Sequence, residues 1–125
     1  MACVDLAGDG WRPGRLLFDD AADAVQDVRL NLSVDGSGNV TGSFRNPDGT
    51  PNNDRLVNGR CRQDGQRHFI EFTREHVGGT TTTSYSGRVT IVQPTGDVLI
   101  RGRFERTTSG SATTARGDYE TEKPT

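Results

Sequence analysis

The chain has 125 residues, of which 30% are hydrophobic, and its formal net charge is −2. This length fits one domain over residues 1–125 with a single modest core, and it excludes two independent cores. No stretch approaches the roughly 20 apolar residues of a membrane helix, and the balance of acids and bases argues against nucleic-acid binding. We therefore expect a soluble domain that binds neither membranes nor nucleic acid, whose cellular location the sequence does not specify.

Glycine and threonine dominate the composition, with 16 and 15 residues. Both fit an all-β chain of short strands and tight turns. Disorder is the alternative for so polar a chain, but the apolar residues cluster in lengths typical of strands. The sequence therefore favours a folded all-β domain.

An N-terminal arm is predicted at 1–13, without the charged and apolar regions of a signal peptide. Cys3 in this arm could pair with Cys61 only if the arm lay beside the strand that contains Cys61. Because nothing in the sequence requires that placement, we favour two free thiols.

Eight strands are predicted between turn signals rich in Gly, Pro, Asn and Asp. They span 14–19, 26–35, 38–46, 54–63, 66–74, 80–92, 97–107 and 112–122. The connections are too short for crossover helices, so neighbouring strands should be antiparallel. A short helical turn is plausible only at 19–26.

A glycine repeat predicts how these strands are arranged. The pattern x-G-x-apolar recurs as TGSF, NGRC, SGRV, RGRF and RGDY, with its glycines at 42, 59, 87, 102 and 117. Regularly placed strand glycines allow a sheet to curve into a barrel. We therefore predict an eight-stranded antiparallel up-and-down (meander) barrel, with a two-sheet sandwich as the alternative.

Alternation along each strand assigns side chains to the two faces. The apolar inward positions are Val28, Leu30, Leu32, Val34, Val40, Phe44, Ile70, Phe72, Tyr85, Val89, Ile91, Val98, Ile100 and Phe104. The polar inward positions are Asn46, Asn58, His68, Thr81 and Thr83, and the outward arginines are Arg29, Arg45, Arg88, Arg101, Arg103 and Arg116. The polar inward groups either line a pocket or are solvated at an open mouth.

Catalytic and metal-binding patterns are absent from the sequence. His68 and Glu71 fall on opposite faces of one strand, and no nucleophile has an orienting base. The two histidines and two cysteines lack metal-ligand spacing. We therefore predict no catalytic residues, no metal and no cofactor, and enzymatic activity is the least favoured function.

Three segments resemble the avidin and streptavidin family. The run at 28–61 resembles the family's second to fourth strands, TTTTSYSGRV at 80–89 its sixth strand, and ARGDYETEKP at 115–124 its last strand. The resemblance covers roughly 28–124, which is nearly all of the chain. It implies an eight-stranded barrel, often dimeric or tetrameric, with biotin bound at one mouth, and Trp11 closing a barrel end as in related folds.

The resemblance also implies a set of site residues. Thr81 and Thr83 match hydroxyls near the ligand's sulfur, while Phe72 and Tyr85 match tryptophans that wall the ligand. The positions that hold the ureido head of biotin depart from the family. Phe44 stands in place of a tyrosine, Val28 in place of a serine and Tyr119 in place of an aspartate. Asp118 is adjacent, but alternation turns it outward. The loop that carries an inter-subunit tryptophan in the family is shortened to 107–111.

Two non-catalytic functions follow. The first is binding of a compact small molecule in a pocket made by Phe44, Asn46, Phe72, Thr81, Thr83, Tyr85, Phe104 and Tyr119, with weak or absent affinity for biotin itself. The alternative is a protein–protein interaction or oligomerisation module, a homo-oligomer included, that uses the outer arginines.

Overall fold

The structure is a computed structural model that describes residues 3, 10–20, 24–92, 95, 97–108 and 113–121. It contains nine β-strands. They are β1 (Arg12–Phe18), β2 (Ala24–Val34), β3 (Asn39–Arg45), β4 (Pro51–Asn52), β5 (Arg55–Asp64), β6 (Arg67–Glu75), β7 (Thr81–Val92), β8 (Asp97–Thr108) and β9 (Thr113–Thr121).

The strands form one antiparallel sheet that closes on itself. Each long strand pairs with its neighbours in chain order, β2 pairs with β3, and β1 pairs with β9, where Leu16 lies opposite Tyr119. The predicted all-β meander barrel is confirmed. The added element is the two-residue β4, which pairs with the end of β3.

The predicted boundaries differ from the structure near the N-terminus. Strand β1 begins at Arg12, so the arm predicted at 1–13 is two residues too long. Of the helical turn predicted at 19–26, residues 21–23 lie outside the described residues, and β2 begins at Ala24. In the described part of the chain, no helix is long and apolar enough to cross a membrane.

The core lies inside the barrel, where the predicted alternation places it. All apolar positions predicted to face inward are buried except Val34, which is half-buried, and Ile91, which is exposed. A Cβ atom at Gly102 would collide with the Ser86 carbonyl oxygen and with the Gly87 backbone on β7. The close approach of β7 and β8 therefore requires glycine, which agrees with the curvature predicted from the repeat.

An irregularity in β2 changes which side chains reach the interior. Pro13 pairs with Arg29 and Arg15 pairs with Gln26, so Asp27 and Val28 together lie opposite one residue of β1. Such a bulge lets two consecutive residues face the same side. As a result, both Asp27 and Val28 are buried, although strict alternation assigns Asp27 to the outside.

The two cysteines form a disulfide, and the prediction of free thiols was wrong. The Cα atoms of Cys3 and Cys61 lie 6.0 Å apart, and the bond closes a loop with a sequence separation of 58 residues. Both side chains are buried. The arm does carry Cys3 beside β5, a placement that only tertiary contacts decide.

Candidate functional site

A cluster of charged and polar side chains lies inside the barrel. It consists of Asp27, Asp54, Arg74, His76, Thr83 and Tyr85, here called the inner polar cluster. Arg74 donates from Nη1 to Asp27 Oδ1 at 2.8 Å and from Nε to Asp54 Oδ2 at 2.5 Å. The guanidinium of Arg74 thus contacts two carboxylates inside the barrel, with all three side chains less than 10% exposed.

The phenol of Tyr85 joins the same cluster. Its hydroxyl donates to Asp27 Oδ2 at 3.1 Å. Burial, followed by the negative charge of Asp27, raises the pKa of Tyr85 above its ordinary value. Burial alone would lower the pKa of Arg74, but Tyr85 and Asp27 outweigh it and raise that pKa. Tyr85 therefore stays neutral and Arg74 charged at physiological pH.

Towards the barrel mouth, His76, which directly follows β6, and Arg106 on β8 converge on the hydroxyl of Thr83 on β7. His76 Nε2 lies 2.8 Å from Thr83 Oγ1, and Arg106 Nε donates to the same oxygen at 3.1 Å. Burial, followed by the positive charge of Arg74, lowers the pKa of His76. The imidazole is therefore neutral at neutral pH, and Thr83, which is 0% exposed, is held from two sides.

The structure brings the predicted aromatic wall residues together. The rings of Phe72 and Tyr85 stack with centroids 4.8 Å apart, and those of Tyr85 and Tyr119 lie 4.5 Å apart. Phe44 and Phe104 are buried in the same core. Because these rings are at most 3% exposed, they fill the interior where they meet one another.

The polar residues predicted for the pocket are dispersed. Thr83 is in the core, whereas Thr81 is half-buried at the rim of this mouth. Asn46 lies in the loop between β3 and β4, where its amide donates to Thr50 Oγ1 at 2.9 Å. Asn58 was predicted to face inward and does not: it is exposed, with φ of 53°, at an irregularity in β5.

Among the described residues, sequence reasoning missed four charged residues whose side chains are buried: Arg12, Asp27, Asp54 and Arg74. Arg74 lies two residues after Phe72 and four after Ile70 on β6. Alternation could therefore have assigned it to the inner face with them. Arg12 lies inside the opposite end of the barrel and donates to the Val98 carbonyl. Asp27 carried no such signal, because the bulge in β2 is not visible in the sequence.

Trp11 does not close the barrel end. The guanidinium of Arg45 lies 4.1 Å from the centroid of its ring. Arg45 projects outward from β3, opposite Arg29 on β2. The indole therefore packs on the outer wall, and the expectation of a tryptophan plug is corrected.

Several arginines on the outer wall form ion pairs with acidic side chains. Arg103 contacts Asp19 at 2.7 Å and Asp118 at 2.9 Å, and Arg116 lies 3.7 Å from Glu105. The pairing of Asp118 with Arg103 confirms that Asp118 faces outward, while Tyr119 is buried.

One row of outward side chains contains an arginine that has no acid beside it among the described residues. Across β5, β6, β7 and β8, it runs through Arg62, Phe69, Arg88 and Arg101, here called the arginine row. Arg62 lies 5.4 Å from the Phe69 ring centroid, and Arg101 is 4.0 Å from Glu120. Arg88 makes no ion pair or side-chain hydrogen bond with any described residue, and its strand partner on β8 is Arg101, of the same charge.

The arginine row borders a hollow of about 420 Å³ on the outside of the barrel. All four members of the row line it, together with Arg60, and its one acidic lining residue is Glu71. The inward-facing glycines Gly87 and Gly102 leave backbone at its floor. The hollow therefore combines a cationic rim with an uncharged floor.

No protein-family model matches the chain, and no curated protein matches it. Among the described residues, no group of three or more His, Cys, Asp or Glu side chains is placed to hold a metal ion. The resemblance to the avidin family stays a prediction.

Proposed function

We propose that this protein is a non-catalytic binding module that contacts a protein partner with the outer wall of β5–β8. The observation that carries the proposal is the cross-strand pairing of Arg88 with Arg101. Like charges directly opposite one another on a sheet are destabilising. An acidic surface placed over the two guanidinium groups would remove this repulsion and form bidentate contacts.

The contrast with neighbouring arginines supports this assignment. Arg103 and Arg116 sit on the same wall, and each has an acid within 4 Å. Arg101 also has an acid nearby, Glu120 at 4.0 Å, so Arg88 is the member of the facing pair that has no acid beside it among the described residues. An acidic partner surface would be electrostatically complementary to this cation beside the hollow.

Selection from a random-peptide display library on the immobilised protein tests the proposal. The key variant is Arg88→Gln/Arg101→Gln, and the matched control is Arg103→Gln/Arg116→Gln, which removes the same charge from arginines that are already paired. We expect the wild type and the control to enrich acidic peptides and the key variant to lose them. Equal enrichment on both variants, or no acidic enrichment on the wild type, would contradict the proposal.

A second candidate is the binding of a compact ligand inside the barrel, as the avidin-like segments imply. One observation favours it: the Tyr119 hydroxyl is buried with no hydrogen-bond partner among the described residues, beside the ring of Tyr85. A ligand acceptor could use this donor. The packed rings favour the outer wall over this site.

Oligomerisation through the outer wall is the other use of the same surface. A second copy would have to bring acidic side chains onto the arginine row. Sedimentation velocity at several concentrations tests this possibility. A concentration-independent monomer would leave a heterologous partner as the occupant.

A further inference from the structure

We infer that the occupant of the arginine row is an extended acidic protein segment that crosses β5–β8. It carries two carboxylates four residues apart, with one apolar side chain midway between them. This inference rests on the proposed function, and it adds the chemistry and the direction of the partner.

The spacing of the row sets the spacing of the carboxylates. Neighbouring strands in a sheet lie about 4.8 Å apart, so Arg62 and Arg101, three strands apart, are separated by about 14 Å. An extended chain rises about 3.4 Å per residue, so its residues i and i+4 are about 14 Å apart and point to the same side. One carboxylate therefore reaches Arg62 at one end of the row. The other carboxylate reaches Arg101 and Arg88 at the other end.

The centre of the row determines the residue between the two acids. Residue i+2 of such a segment lies between Phe69 and Arg88, above the hollow whose floor includes Gly87. Phe69 is an outward aromatic side chain that is only half-buried. An apolar side chain at i+2 would cover its ring and fill the hollow, which removes apolar area from water.

The acids around the row argue against a uniformly charged polymer. Glu71, Asp118 and Glu120 lie on the same outer wall beside the row, and the whole chain has a net charge of −2. A sulfated glycan or a nucleic acid that ran beyond the row would meet these carboxylates and be repelled. A short segment with two placed carboxylates keeps its charges at the two ends of the row and meets only Glu120, which lies 4.0 Å from Arg101.

Fluorescence anisotropy with synthetic peptides tests the inference on the 125-residue chain. The probe has the core Glu-Ser-Leu-Ser-Glu with neutral flanks. One comparison peptide has the same composition with the glutamates adjacent, and another replaces leucine with serine. We expect each comparison peptide to bind at least fivefold more weakly than the probe.

The variants connect the binding to the row. We expect Arg88→Gln/Arg101→Gln to weaken probe binding at least tenfold, and Arg103→Gln/Arg116→Gln to change it less than threefold. Thermal melts of both variants confirm that they fold. Affinity that falls with added salt accompanies the expected result, because the contacts are between exposed charges.

The possible failures are distinguishable. If acidic peptides from the library bind through Arg88 and Arg101 but the three synthetic peptides bind equally, the spacing inference is wrong and the proposed function stands. If a sulfated oligosaccharide binds more tightly than the probe with the same variant dependence, the partner is not a protein segment. If Arg88→Gln/Arg101→Gln leaves all binding unchanged, both the inference and the proposed function fail.

Discussion

Arg74 on β6 reaches Asp27 on β2 across the barrel interior, with Nη1 2.8 Å from Oδ1. The two residues are 47 positions apart in the chain and belong to strands that do not pair. This ion pair connects opposite walls of the barrel. Asp54 contacts the same guanidinium and Tyr85 the same carboxylate, so the four side chains form one network.

Removing the negative charge from this pair should destabilise the fold. Asp27→Asn leaves a buried guanidinium with one carboxylate fewer, and breaking a buried ion pair costs roughly 3–5 kcal/mol. We expect a loss of about 3 kcal/mol in the free energy of unfolding, at the low end because Asp54 remains. Urea denaturation measures it. Arg103→Gln, which breaks exposed pairs, is the control, and an equal loss there would show that burial is unimportant.

The stability of the fold should respond differently to loss of the hydroxyl at the two interior tyrosines. Tyr85→Phe removes a donor to the charged Asp27 and should cost about 2 kcal/mol. Tyr119→Phe removes a hydroxyl that has no partner among the described residues, so stability should stay the same or rise by up to about 1 kcal/mol. Denaturation of the two variants side by side is decisive. A clear loss with Tyr119→Phe would mean that its hydroxyl has a partner.

Reduction of the disulfide should lower stability. The bond between Cys3 and Cys61 closes a long loop of the unfolded chain, an effect typically worth about 2–4 kcal/mol. We expect a lower melting temperature in dithiothreitol for the wild type. The variant Cys3→Ala/Cys61→Ala should melt low and not respond to dithiothreitol. An unchanged wild-type melt, with reduction verified by thiol titration, would contradict the prediction.

Stability should fall on mild acidification because of His76. Its folded-state pKa is below the ordinary 6.5, through burial and then the charge of Arg74. As the pH falls below 6.5 the unfolded chain binds the proton first, so the stabilisation is present above that pH and lost as the pH drops through the folded-state pKa. Denaturation at pH 7.5 and 5.5 measures it. His76→Gln should flatten this dependence, and a dependence of unchanged size in that variant would contradict the prediction.

Biotin should bind weakly or not at all. The positions that would hold its ureido head are Val28, Phe44 and Tyr119, all buried inside the barrel, and Asp118 faces outward. Two of these side chains offer no hydrogen bond, and an unpaired polar head costs roughly 1–3 kcal/mol per group. Isothermal titration should give a dissociation constant above about 1 μM. Submicromolar binding would contradict this expectation and support the ligand site inside the barrel.

Part of the interior was predictable from local pattern alone. Tyr119 inward and Asp118 outward follow from the period of two along β9, and the register of the last strand agrees. The same parity applied to β6 identifies Arg74, whose charge made it easy to overlook. The predicted aromatic residues of the pocket do meet, but alternation does not say whether inward rings enclose a space or fill it.

Local pattern was enough to predict the approximate positions of the long strands, their antiparallel order and the face of most side chains, because turn residues and alternation act within a few neighbouring positions. The burial of Asp27, the pairing of Cys3 with Cys61 and the alignment of Arg88 with Arg101 depend on contacts between distant parts of the chain. A bulge moves a side chain to the other face without any change in composition. Which residues meet across strands depends on the register and closure of the whole barrel.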